Sequence, residues 1–274
     1  MKLYCARWVL PVSSETIEHG AVAVEGTRVA GVGRREELSA RFGGAAVEDF
    51  GEAVITAGFV NCHTHLELTV MRGFLEREEA DFSAWLKKLT VARMFRMTPE
   101  DLYVSAAWGA VEAARAGVTC VGDACSEGAN AMRALRDAGL RGVVYQEAFG
   151  PDASLAGGQF DKARHAIDSL RAGETGLVRL GLSPHAPYTV SPPLLTMLAR
   201  YAIAEGLPVM THAAESRAEE MLMLQGRGPF AEGYASRGFE FASPGVSTIR
   251  HLAATGLLDA RPLLAHCVRV SEEE

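Results

Sequence analysis

The sequence predicts an α/β chain: a parallel barrel with about six strands present, preceded by a small all-β segment. Three observations carry that reading. From residue 55 onward, apolar strand-like runs alternate with amphipathic helical stretches, the pattern of parallel βα units buried on both faces. Each of six such runs ends in polar residues. Histidines recur at the ends of the first, fourth, fifth and sixth of them. An α/β barrel gathers its functional groups at those strand ends, whereas a doubly wound sheet would collect them at one switch point.

Residues 1–56 are expected to form the N-terminal part of a small β-sandwich domain, and 57–274 the barrel. In the first part, "KLYCARWVLP", "GAVAVEGTRVAGVG" and "AVEDFGEAVITAGFV" are Val-rich runs broken by glycines, as in a β-meander. "REELSARFGG" reads as a short helix ended by glycine. In the second part, Thr98 before Pro99 and Ser191 before Pro192 mark helix starts. Gly139 and Gly206 mark helix ends.

Composition removes several functional classes. A net charge of −7 with no basic block argues against nucleic acid. No apolar run approaches the ~20 residues of a membrane span. Five scattered cysteines, with no CxxC pair, speak against a disulfide framework or a cysteine zinc site. A cytoplasmic protein with a small-molecule substrate is expected. No Gly-rich phosphate loop follows any strand.

The stretch "GFVNCHTHLE" places His63 and His65 two residues apart at the end of the first barrel run. In a strand, positions i and i+2 share a face, so both imidazoles leave in one direction. His185 follows in "LSPHAPY", His212 in "VMTHAAE" and His266 in "LLAHC". Five of the eight histidines thus fall at equivalent places; His19, His165 and His251 read as surface or packing residues. Three neutral imidazoles, those of His63, His65 and His212, suit one divalent ion, Zn²⁺ first and Fe²⁺ second. A metal there activates water near neutral pH. Glu215, three residues beyond His212, is placed for general acid–base work, while Glu219 and Glu220 read as solvated residues favoured by the helix dipole.

The ordered motifs "GFVNCHTHLE", "SPHAPYTVS", "THAAES" and "LLAHC" resemble the amidohydrolase superfamily, metal-dependent hydrolases on a (β/α)8 TIM barrel. The resemblance implies His63, His65 and His212 as metal ligands, Glu215 as proton shuttle, and His266 as the group that orients water or polarises substrate. "LVRLGLSPH" lacks the bridging lysine of two-metal members, so one ion is expected. "HTHLELTVMRG", "DFSAWLKKL" and "SPHAPYTVS" are similar to S-adenosylhomocysteine/methylthioadenosine deaminases, and Glu67 with "YQEAFGP" around Glu147 to aminofutalosine deaminases. This implies release of ammonia from an aminated purine nucleoside, with His185 contacting the substrate. Glu67, Arg72, Trp85 and Glu147 become further candidates for substrate binding. A homodimer is a reasonable expectation for such enzymes.

Alternative readings keep the fold and change the leaving group, as in chlorohydrolases, guanine or cytosine deaminases and cyclic-amide hydrolases, or leave an inactive metal-binding fragment. The cytidine-deaminase signature is excluded, because no P-C-x-x-C accompanies His65-Leu66-Glu67. The sequence stops at "AHCVRVSEEE", after the sixth strand. The aspartate that these deaminases place on strand eight has no counterpart, and Asp123 at the end of strand two does not take its place. A piece of a longer chain, binding metal weakly and poorly active alone, is the resulting expectation.

Overall fold

A computed structural model of the chain describes residues 1–78 and 81–274. It divides into two compact units, Met1–Phe59 and Val60–Glu274. In the first, β1 (Lys2–Leu10), β2 (Ile17–Glu25) and β3 (Arg28–Arg34) form an antiparallel meander. Helix α1 (Arg35–Arg41) follows, and β4 (Ala46–Asp49) and β5 (Val54–Thr56) both return parallel to β1. Leu3, Cys5, Ala21 and Ala23 alternate inward under Leu38 of α1 and form the core of this unit, as the period-2 pattern predicts. The predicted short helix ends at Phe42, one residue before the glycine pair.

The second unit carries the parallel strands. They are β6 (Phe59–Thr64), β7 (Val118–Cys125), β8 (Arg141–Ala148), β9 (Val178–Pro184), β10 (Met210–Ala213) and β11 (Leu263–His266). The first four lie in one sheet in chain order, and β10 pairs with β11 in parallel. A single parallel bridge, Leu182 to Val209, joins the two groups. The six strands form part of a barrel wall, and no closed ring exists among the described residues.

Between the strands run α2 (Phe82–Arg96), α3 (Pro99–Arg115), α4 (Gly128–Ala138), α5 (Ala156–Leu170), α6 (Pro192–Glu205), α7 (Arg217–Gln225), α8 (Pro229–Ala235) and α9 (Thr248–Ala254). Thr98 caps α3 with a complete capping box, its hydroxyl taking the Asp101 N–H while the Asp101 carboxylate takes the Thr98 N–H. Ser191 stands at the N-cap of α6, but its hydroxyl makes no capping bond. Pro192 and Pro193 fill the first two helical positions and offer no N–H. Gly139 and Gly206 close α4 and α6 in the left-handed conformation, as predicted.

Leu180 and Leu182 of β9 meet Leu194, Leu195 and Leu198 of α6 and Leu135 of α4 in the main core. That burial holds the sheet against its helices, and truncating one of these leucines to alanine costs about 2–5 kcal/mol. By contrast β6 is the outer strand of its sheet, and Phe59 and Val60 are 65% and 63% exposed. No helix among the described residues is long and apolar enough to cross a membrane.

Candidate metal and proton-transfer site

The strand ends converge on one cluster. His63 lies on β6, and His65 follows the strand just before a short 3₁₀ turn, Leu66–Met71. His212 comes from β10, the strand that follows the last strand of that sheet. The ligating atoms of His63, His65 and His212 lie within 4.8 Å of one another. His65 Nε2 and His212 Nε2 are 3.1 Å apart, their rings parallel at 1°.

Protonation favours a cation at the centre of these rings. His212 Nδ1 is 2.8 Å from the carbonyl oxygen of His185, which only accepts, so Nδ1 carries the hydrogen and Nε2 presents its lone pair to the cluster. His63 turns Nδ1 to the Met210 sulfur at 3.3 Å, which leaves its Nε2 for the same space. Burial, then repulsion from neighbouring histidines, lowers the His63 pKa to about 3. Burial likewise pushes His212 far below the ordinary imidazole value. His65 Nε2 and His212 Nε2 stand close enough either to share one proton or to turn both lone pairs to one cation, and with the His63 ring beside them a divalent ion suits the set. The donor set fits one such ion. Glu147, His185 and His212 form a second grouping with the same spacing, which shares His212.

Glu215 follows β10 in the turn before α7 and faces His266 at the end of β11. Glu215 Oε1 is 3.4 Å from His266 Nε2, and Tyr188 donates its hydroxyl to Glu215 Oε2 at 3.2 Å. Burial raises the Glu215 pKa, partly opposed by the Tyr188 bond. The turn that presents Glu215 is itself held. Glu219, fully buried, accepts from the Ala214 N–H (3.0 Å), the Glu215 N–H (2.8 Å) and the Thr248 hydroxyl (2.6 Å). Ala214 has φ of 51° there, a conformation that costs a non-glycine residue about 1 kcal/mol or more. The expectation of a solvated Glu219 is therefore corrected: its carboxylate spans the Glu215 turn because three donors converge on it. Glu220 keeps a surface position, paired with Arg269 at 2.6 Å.

The other predicted residues divide into two places. His185 follows β9, its Nδ1 2.7 Å from the Thr189 hydroxyl and its Nε2 3.9 Å from Glu147 Oε1. Burial lowers its pKa to about 4. Glu147 accepts from the Ser126 hydroxyl at 2.9 Å. Glu67 is 3% exposed, 3.6 Å from Arg93, and burial raises its pKa. Arg72 and Trp85 instead line a neighbouring cavity of about 360 Å³ with His65, Leu68, Met71 and Leu75. Arg72 also forms a bidentate pair with Glu112 of α3 at 3.0 and 2.7 Å.

Sequence reasoning passed over Tyr188, Arg93 and the clamping role of Glu219. Glu219 lies four residues after Glu215 in the first turn of α7, behind the Ser216 cap, a position that an acidic residue commonly takes in solvent. Arg93 sits on α2 and meets Glu67 through tertiary packing alone.

A family model for the amidohydrolase family matches residues 54–273. The chain belongs to the amidohydrolase family. It is 33% identical over 267 residues to an aminodeoxyfutalosine deaminase of Deinococcus radiodurans, covering 93% of this chain and 61% of the relative. It is 30% identical over 272 residues to a 5-methylthioadenosine/S-adenosylhomocysteine deaminase of Symbiobacterium thermophilum, covering 97% and 57%. The crystal structure of an atrazine chlorohydrolase from Arthrobacter aurescens complexed with zinc superposes with a TM-score of 0.79 at 21% identity, over 100% of this chain and 62% of that one. That likeness is one of fold. The chain spans about three-fifths of the length of the curated relatives it matches.

Proposed function

We propose that this chain carries the metal-binding and proton-transfer core of a hydrolytic deaminase acting on an aminated purine nucleoside, of the aminofutalosine or methylthioadenosine/S-adenosylhomocysteine kind. The observation that carries the reading is the pairing of a three-histidine cluster with a half-buried carboxylate, Glu215, held 3.4 Å from His266. Two relatives at or above 30% identity, both named as nucleoside deaminases, support it.

His63, His65 and His212 would hold one divalent ion, Zn²⁺ before Fe²⁺. When bound, it supplies Lewis acidity that makes water nucleophilic near neutral pH. Glu215 takes a proton from the attacking water as oxygen adds to the amino-bearing ring carbon, and hands it to the ring nitrogen. The added hydroxyl then gives its proton to the amino nitrogen through Glu215, the carbon–nitrogen bond breaks, a carbonyl forms, and ammonia leaves. A carboxyl raised by burial is suited to both giving and taking that proton. His266 orients the water through its contact with Glu215. His185, backed by Thr189, and Glu147, backed by Ser126, contact the base. Glu67 serves the sugar, and the Trp85 and Arg72 wall receives the side arm.

The test is ammonia release from aminofutalosine, S-adenosylhomocysteine, methylthioadenosine, adenosine and guanine by the Zn²⁺-loaded 274-residue chain, with the purine product identified by mass. Release from a nucleoside that disappears in E215Q supports the reading. Metal bound at the histidines with no ammonia from any member, both in this chain and in a chain extended to the length of its relatives, would overturn the deaminase assignment and return the choice to another leaving group.

A further inference from the structure

One buried carboxylate beside the histidine cluster has no part in the chemistry above. Asp123 ends β7, is 0% exposed, and lies 57 residues from the segment it touches. Its Oδ1 accepts the Leu66 N–H at 2.7 Å and the Thr64 hydroxyl at 2.9 Å. These donors are the residues immediately before and after His65. The contact is possible because β6 and β7 approach closely: a Cβ on Gly122 would stand 2.4 Å from the Cys62 carbonyl oxygen. Only glycine admits that approach, and the next residue along β7 is Asp123.

His65 needs such support more than His63 does. His63 lies inside β6 and rests on the Met210 sulfur. His65 has left the strand, with φ −128° and ψ 78°, and its backbone lies outside the ladder. Without an external acceptor, the Leu66 N–H at the start of the 3₁₀ turn would be a buried donor with no partner, and the turn could swing.

We infer that Asp123 is a positioning residue that straddles His65, holding Thr64 and Leu66 so that the His65 imidazole stays aligned with those of His63 and His212 for one metal ion. The inference rests on the metal-binding part of the reading above. Oδ1 alone makes both bonds, while Oδ2 has no partner. What the clamp requires is therefore an acceptor at Oδ1 rather than a charge. An asparagine that keeps Oδ1 in place preserves the clamp, and an alanine removes it.

The experiment compares wild type, D123A, D123N and T64V, each checked for folding by its thermal transition. Zn²⁺ affinity is measured by competition with a chromogenic chelator, and geometry by the visible absorption of the Co²⁺-loaded protein. D123A is expected to bind Zn²⁺ about 10- to 100-fold more weakly, the usual effect of losing a group that orients a ligand, with a weakened Co²⁺ band. D123N should restore affinity and band, and T64V, which keeps the Leu66 bond, should fall between. Hydrogen exchange of the Leu66 amide in metal-free protein gives an independent reading: fast in D123A, slow in wild type and D123N. Wild-type affinity in a folded D123A, or a D123N as impaired as D123A, would overturn the inference. A wild type that binds no metal yet loses Leu66 protection in D123A would leave the clamp standing and overturn the metal reading instead.

Discussion

The two arms of the site are held by the same device in two different ways. In the His63–His65 arm, Asp123 reaches across from the neighbouring strand, 57 residues away, and one of its oxygens has no partner. In the His212–Glu215 arm, Glu219 reaches back four or five residues within its own helix start, and both oxygens are occupied. Each is a buried carboxylate that accepts from both backbone and hydroxyl donors beside a candidate site residue. The long-range clamp ties the arm to the sheet, and the local one ties a strained turn to a helix. A carboxylate with both oxygens accepting hydrogen bonds is tolerant of burial, whereas one with an idle oxygen keeps a larger desolvation cost.

The sharpest way to separate the arms is to damage the second while leaving the first intact. E215Q should lower kcat by about 10²- to 10⁴-fold, the range for loss of a general acid–base group, with bound metal unchanged by elemental analysis. E219Q should act through Glu215 and cost less. A glutamine offers one acceptor oxygen where three donors converge, so at least one N–H loses its partner at about 1–3 kcal/mol. We expect roughly a tenfold fall in kcat, since 1.4 kcal/mol corresponds to a factor of ten, with KM and Zn²⁺ affinity near wild type. A fall in Zn²⁺ affinity in E219Q would show that the two clamps are not independent.

The idle oxygen of Asp123 gives a second contrast, in stability. Burial raises the Asp123 pKa to about 7, opposed by its bonds to Leu66 and Thr64. A carboxyl with a raised folded pKa binds more protons in the native state than in the unfolded chain. Its contribution is therefore most favourable below the unfolded value of about 4 and declines as pH rises toward 7, then stays level. Urea unfolding of metal-free wild type and D123N across pH 4–8 should show the difference between them changing over that window and constant above it. A difference that does not vary with pH would remove Asp123 as a titrating group.

The smallest effect is expected at the edge of the site. Arg72 is exposed and already paired with Glu112, and exposed ion pairs contribute about 0–1 kcal/mol. R72A should change the thermal transition little and raise KM for a substrate with a long side arm more than for adenosine. Equal KM values for the two would remove Arg72 from the side-arm wall.

Much of this was legible before any coordinates. The alternation of apolar runs and helical stretches located all six parallel strands, because strands buried on both faces must be apolar throughout. The recurrence of histidine at strand ends picked out the residues that the fold brings together, because parallel strands in a barrel all point their C-terminal ends to one side. Glu215 was readable for the same reason, three positions past a strand-end histidine.

Other features escaped because nothing local encodes them. Glu219 looks like any acidic residue in a first helical turn; whether it is solvated or buried depends on Thr248, which arrives from α9. Arg93 and Glu67 meet only because α2 packs over the 3₁₀ turn. Phe59 and Val60 read as core residues, yet they are exposed, since burial of a strand is decided by what lies beside it. The sequence by itself determined the strand and helix periods, the caps and the order of chemical groups along the chain, all set by contacts a few residues apart. Only the tertiary structure decided that Asp123 and Glu219 are buried against these partners, because Asp123 meets the Leu66 amide across 57 residues of chain and the Thr248 hydroxyl reaches Glu219 across 29.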